Sequence, residues 1–240
     1  MQPSALRPLW LRYLSIPLYL IAVMLLTRAI ISLQGRLIPA ATISTTTGIG
    51  FMALMYSVIA QMVAFLLPAP LLLYFTGGRN YTYRKTDSRY LVIACALILL
   101  VMVLFSLLYA VLDTKPSQLA YLDMKDILKN RGAFLVLTSV VVPAYEEWVF
   151  RGLFFGVLVT DSERSRDSVI AGLFVSLIFS AVHVEGAHSL TALPPIFAMS
   201  LVLHAMTFRS GSLWPAFCAH SLQNLLAAST MLAAAAKTQG

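Results

Sequence analysis

Charge is scarce in this sequence. Asp, Glu, Lys and Arg supply only 11% of its 240 residues, against 59% that are hydrophobic. A soluble domain carries about 25% charged residues, and a soluble fold could not cover this much apolar surface. Cysteine is scarcer still: Cys95 and Cys218 both fall inside apolar runs, where each reads as a small packing residue rather than half of a bridge or a metal ligand. They are silent about redox compartment. No internal repeat and no low-complexity segment is evident. The seventeen Lys and Arg give a formal charge of +7 but form no basic stripe interleaved with aromatics, so nucleic acid is not an expected partner.

What the sequence has instead is long apolar runs. One membrane span takes about 20 apolar residues, and seven such runs occur, near 9–33, 48–76, 90–112, 133–159, 168–188, 191–208 and 212–236. They predict an all-α, polytopic transmembrane helical bundle of about seven spans, forming one integral membrane domain. Within it, 1–132 holds N-terminal spans and a polar connector, and 133–240 holds a core that carries the polar chemistry. The first run follows an Arg-bearing start as a signal peptide would, yet it is long and no small-residue cleavage site follows, so an uncleaved first span is expected. Pro68 and Pro70 predict that the 48–76 run kinks or ends early. Residues Asp113 to Arg131 suit a surface helix or ordered loop, and Ser44 to Gly50 a turn between spans.

Loop charge orients such a chain. With a cytoplasmic N-terminus, the inner side holds nine basic residues (Arg7, Arg12, Arg79, Arg84, Lys85, Arg89, Arg164, Arg166 and Arg209) and the outer side six (Arg36, Lys115, Lys125, Lys129, Arg131 and Lys237). Seven crossings then put the C-terminus outside. The expected location is the cytoplasmic membrane of a prokaryote, as an integral, multi-pass protein.

The second half is where polar residues enter the apolar runs: Glu146, Glu147, Arg151, His183, His204, His220 and Asn224. A charge at a helix centre costs roughly 2.5 to 3.5 kcal/mol on insertion scales, so several together are expected to face an internal cavity. Only four glutamates exist, and two of them are adjacent in one run. A helical reading puts Glu147 and Arg151 at i and i+4, within reach of each other, and turns Glu146 about 100° away. Glu147 can then be held ionised by the guanidinium, leaving Glu146 for general-base work. The competing reading is a charge network that only staples helices.

Phe179 lies one turn before His183, and His220 and Asn224 again lie four apart. The latter pair presents an imidazole and a carboxamide on one helix face, suited to an oxyanion hole or to part of a metal site. Ser212 and Pro215 predict that helix's start. At 1.5 Å per residue, Glu146 lies roughly 20 Å into its span, His183 roughly 22 Å and His220 roughly 10 Å. In a core about 30 Å thick all three fall within roughly 10 Å of the midplane.

Glu146-Glu147-x-x-x-Arg151, Phe179-x-x-x-His183 and His220-x-x-x-Asn224, in this order, resemble the CAAX prenyl endopeptidase and bacteriocin-processing (CPBP) family of intramembrane proteases, over roughly residues 133 to 230. The resemblance implies a helical bundle with a cavity in which Glu146 and His183 activate water, His220 and Asn224 stabilise the oxyanion, and Glu147 and Arg151 shape the site. It implies a membrane-associated or prenylated (CAAX-type) peptide as substrate. Members have been described both as metalloproteases and as glutamate-dependent enzymes, so a zinc ion is one possible cofactor. The zincin pattern His-Glu-x-x-His is absent. His183, Glu185 and His188 form another conceivable ligand set, although Glu185-Gly186 reads as surface loop, and His204 is expected to be structural. Two other classes stay open: a non-catalytic immunity or scaffold protein binding a partner in the same cavity, and a proton-coupled transporter with Glu and His as its relay.

Overall fold

A computed structural model of the chain describes residues 8–37, 44–45, 48–76, 81–113, 122–159, 165–184 and 190–239. It is a helical membrane bundle. The elements are α1 (Leu9–Leu37), a two-residue hairpin β1 (Ser44–Thr45) and β2 (Gly48–Ile49), α2 (Phe51–Leu66), α3 (Ala69–Thr76), α4 (Ser88–Val111), α5 (Met124–Lys129), α6 (Arg131–Leu158), α7 (Ser165–Val184), α8 (Leu193–Ser210) and α9 (Trp214–Gln239). Among the described residues, each of the seven apolar runs lies mostly on helix. By length and composition four stretches can cross a membrane: Leu9–Leu33, Phe51–Thr76, Ser88–Val111 and Arg131–Leu158. Of the helices of the last three runs, α7 is apolar over the shorter stretch Asp167–His183, while polar residues such as His204 and Arg209 in α8 and His220, Gln223 and Asn224 in α9 interrupt the other two. The chain is an integral, multi-pass membrane protein.

Local chemistry sets the boundaries. Pro68 has no N–H to continue the ladder, so α2 stops at Leu66 and the helix restarts as α3 within the same apolar stretch. Asp87 caps α4 by accepting from the Arg89 N–H, and Asp123 caps α5 by accepting from the Lys125 and Asp126 N–H groups. Gly211, at φ 65°, ends α8 in the left-handed conformation that glycine adopts at least cost. Ser212 Oγ then accepts from the Trp214 N–H and starts α9 one residue later than the sequence suggests.

The sequence gives no hint that α6 departs from α geometry twice, being π-helical over Leu137–Val141 and Trp148–Phe154. The two π segments flank the Glu146–Glu147 turn, and π-bulges recur at functional sites. Other elements hold carbonyls along this helix. Asn224 Nδ2 of α9 donates to the Thr138 carbonyl at 2.9 Å, the Tyr83 hydroxyl to Ala144 at 2.7 Å, and the Tyr81 N–H to Gly152 at 3.1 Å.

Arg12 departs from its expected place among the loop charges. It lies in α1, 5% exposed, and its guanidinium donates to the Val157 and Leu158 carbonyls at the C-terminal end of α6. A cation suits that end because unpaired carbonyls converge there. Removing it from the inner count of nine leaves eight against six.

Candidate active site

The polar residues converge where α6, α7 and α9 meet. Glu146 lies near the midpoint of the Arg131–Leu158 stretch, so the carboxylates sit well inside the membrane-spanning part of the chain. Glu146, His183, His220 and Asn224 all line a cavity of about 420 Å³. Its remaining walls are mainly apolar, supplied by residues such as Ile98, Met102 and Phe105 of α4, Ile196 and Met199 of α8, and Met231 of α9.

The adjacent glutamates are turned to different surroundings. Glu146 faces the cavity, whereas Glu147 is fully buried and absent from its lining. Glu147 Oε1 accepts from Arg151 NH1 at 3.0 Å and from His220 Nδ1 at 2.7 Å. The anticipated pair with Arg151 is thus present, and the contact with His220 is one the sequence did not suggest. Arg151, itself fully buried, also donates through NH2 to Ser200 Oγ at 2.6 Å and stacks its guanidinium 4.3 Å from the centre of the Phe179 ring. A charged group taken out of water needs such partners, and the aromatic face contributes cation–π attraction.

Both cavity histidines have assigned orientations. A carbonyl can only accept, so His183 Nδ1–H donates to the Phe179 carbonyl at 2.6 Å. By the same reasoning His220 donates Nδ1–H to the Glu147 carboxylate. Each ring therefore turns Nε2 toward Glu146: His183 Nε2 is 4.0 Å from Oε1 and His220 Nε2 3.7 Å from Oε2. These spacings exceed a direct hydrogen bond and suit a group held between the carboxylate and the imidazoles. Asn224 commits one N–H to Thr138, fixing the plane of its carboxamide.

Sequence reasoning missed three supports: Ser200 behind Arg151, Tyr83 under the Ala144 carbonyl, and Gln61, whose Oε1 accepts from the Tyr145 hydroxyl at 3.1 Å. Burial, with Glu147 and Cys218 nearby, raises the Tyr83 hydroxyl above its ordinary range, so it remains a donor at neutral pH. His204 is buried outside the cavity, its Nδ1–H on the Ser200 carbonyl at 2.9 Å and its ring against Phe155. For zinc, no group of three His, Cys, Asp or Glu among the described residues is arranged to hold a metal ion. Glu185 and His188 lie outside those residues.

Comparison with known proteins finds similarity over the part of the chain that carries these residues. Residues 129–226 match the family described as type II CAAX prenyl endopeptidase Rce1-like. Over 101 residues the chain is 33% identical to the Bacillus subtilis protein named "Putative membrane peptidase YdiL", covering 41% of this chain and 37% of that protein. The chain thus matches little more than a third of that relative's length. No solved structure matches it. Residues 129–226, which among the described residues contain the cavity's carboxylate and both of its imidazoles, are thus the part of the chain that is similar to the Rce1-like family.

Proposed function

We propose that this protein is an intramembrane endopeptidase that hydrolyses a peptide bond with water activated by Glu146 and His183. The observation that carries the reading is the convergence of two imidazole Nε2 atoms, from two different helices, on the carboxylate of Glu146, the one among the described residues that faces the cavity. A water between Glu146 and His183 would lose a proton to the carboxylate as its oxygen attacks the scissile carbonyl carbon. The resulting oxyanion would accept from Asn224 Nδ2 and from His220 Nε2–H when both nitrogens of that ring carry hydrogens, with Glu147 as its counter-charge. Collapse breaks the C–N bond, and the proton returns to the departing amine, leaving one carboxylate and one amine product.

Glu147 and Arg151 take no part in bond making here. They hold His220, as the buried carboxylate of a catalytic triad holds its histidine. No step passes through a metal. The mainly apolar cavity and the similarity of residues 129–226 to the Rce1-like family favour a membrane-associated substrate, with a prenylated CAAX-type peptide as the leading class. A proteomic comparison of cells expressing wild type or Glu146→Gln tests this. New C-termini on membrane-associated proteins, present with wild type and lost with the variant, are expected. Identical C-termini in both would remove the reading.

A further inference from the structure

Arg151 has an anchor that the proposed reaction does not use, and it lies on a helix that contributes no residue to the family-like motifs. We propose that Ser200 of α8 is a positioning residue for this site, acting through Arg151 and Glu147 on the orientation of His220. The proposal rests on reading the cavity as a hydrolytic centre.

The links are short and buried. Ser200 Oγ accepts from Arg151 NH2 at 2.6 Å, Arg151 NH1 donates to Glu147 Oε1 at 3.0 Å, and the same oxygen accepts from His220 Nδ1 at 2.7 Å. Ser200, Arg151 and Glu147 are each 0% exposed and His220 is 2% exposed, so no water screens the series. A guanidinium is a rigid planar fork. With NH2 fixed on Ser200, the direction of NH1 is fixed as well, and with it the carboxylate oxygen shared with His220. Among the described residues neither Arg151 Nε nor Glu147 Oε2 has a hydrogen-bond partner, so little else resists a pivot of this pair. The ring of Phe179 covers the guanidinium face but does not set its rotation in its own plane.

Ser200 is itself well placed to serve as a fixed point. Its carbonyl receives His204 Nδ1–H, and the His204 ring packs on Phe155 of α6 and beside Gly172 of α7. Helix α8 is thereby held against both neighbours at this level. Ser180, by contrast, bonds back to its own helix at the Ser176 carbonyl, the usual habit of a buried helical serine. The Ser200 oxygen is turned instead to another helix and to a charge.

The test uses full-length protein labelled with ¹⁵N-histidine in detergent, as wild type, Ser200→Ala and Ser200→Cys. The His220 resonances are assigned by their loss in His220→Gln. Cleavage of a fluorogenic farnesylated CAAX-type peptide gives kcat and KM for the same proteins. Ser200→Ala is expected to shift the His220 resonances and lower kcat about 10-fold, with KM within about twofold of wild type. Ser200→Cys should fall between, because sulfur is a weak acceptor. Should the Ala variant not fold, the Cys variant decides by the same resonances. His220 resonances unchanged in the folded variants would overturn the proposal, as would a loss of kcat that simply follows melting temperature. If wild type does not cleave while His220 still responds to Ser200, the hydrolytic reading falls and the coupling stands.

Discussion

At the scale of single residues, the adjacent glutamates have opposite surroundings, and their variants should fail differently. Glu146→Gln keeps the shape of a cavity-facing side chain and removes its basicity, so a stable, substrate-binding, inactive protein is expected. Glu147→Gln removes the negative partner that Arg151 and His220 share inside the bundle. Breaking a buried ion pair costs about 3 to 5 kcal/mol, so Glu147→Gln and Arg151→Ala should melt well below wild type as well as lose activity. Thermal unfolding in detergent measures this, and an unstable Glu146→Gln beside normally melting Glu147→Gln and Arg151→Ala would reverse the roles. For His220→Ala, turnover should fall about 100-fold or more. A variant near wild-type turnover would take His220 out of the reaction. The Glu147–Arg151 contact was legible because i,i+4 neighbours on a helix meet whatever surrounds them. Ser200, Tyr83 and Gln61 were not, because each meets its partner across a packed interface; Gln61 stands out as a polar residue in an apolar run, but its neighbours in sequence do not name Tyr145 as its partner.

At the scale of elements, helix α6 carries both carboxylates and is held from several sides. Its periodicity and length could be read directly, but the two π segments could not, since they are changes in backbone hydrogen-bond register that side-chain patterning does not encode. The break at Pro68 was legible through the missing N–H. The role of α1 was hidden for another reason: Arg12 looked like an ordinary terminal charge until packing placed it on the last carbonyls of α6. Arg12→Met keeps the apolar stem and removes the guanidinium. Hydrogen bonds to a charged group contribute about 1.5 to 3 kcal/mol, so a loss of that order is expected in unfolding measurements. A melting temperature equal to wild type would mean that α1 does not clamp α6 through this residue.

At the scale of the whole molecule, Glu146, His183, His220 and Asn224 line a mainly apolar cavity, with Glu146 on the candidate span Arg131–Leu158. The helical bundle and membrane insertion followed from composition and the lengths of the apolar runs, while the number of crossings did not, because α7 is apolar over only Asp167–His183 and polar residues interrupt α8 and α9. We propose seven crossings, with the N-terminus cytoplasmic and the C-terminus external. Reporter fusions at both ends check this, and cytoplasmic signals from both would require an even number of crossings. The central claim is that Glu146 drives hydrolysis of a peptide bond in this cavity. Purified protein in liposomes, given prenylated and unprenylated CAAX-type peptides in ¹⁸O-labelled water, tests it by mass spectrometry. Wild type should release a product whose new carboxylate carries one ¹⁸O, and Glu146→Gln should bind the peptide yet form product at least about 100-fold more slowly. Folded wild type that cleaves none of the peptides, or Glu146→Gln that cleaves at the wild-type rate, would contradict the account.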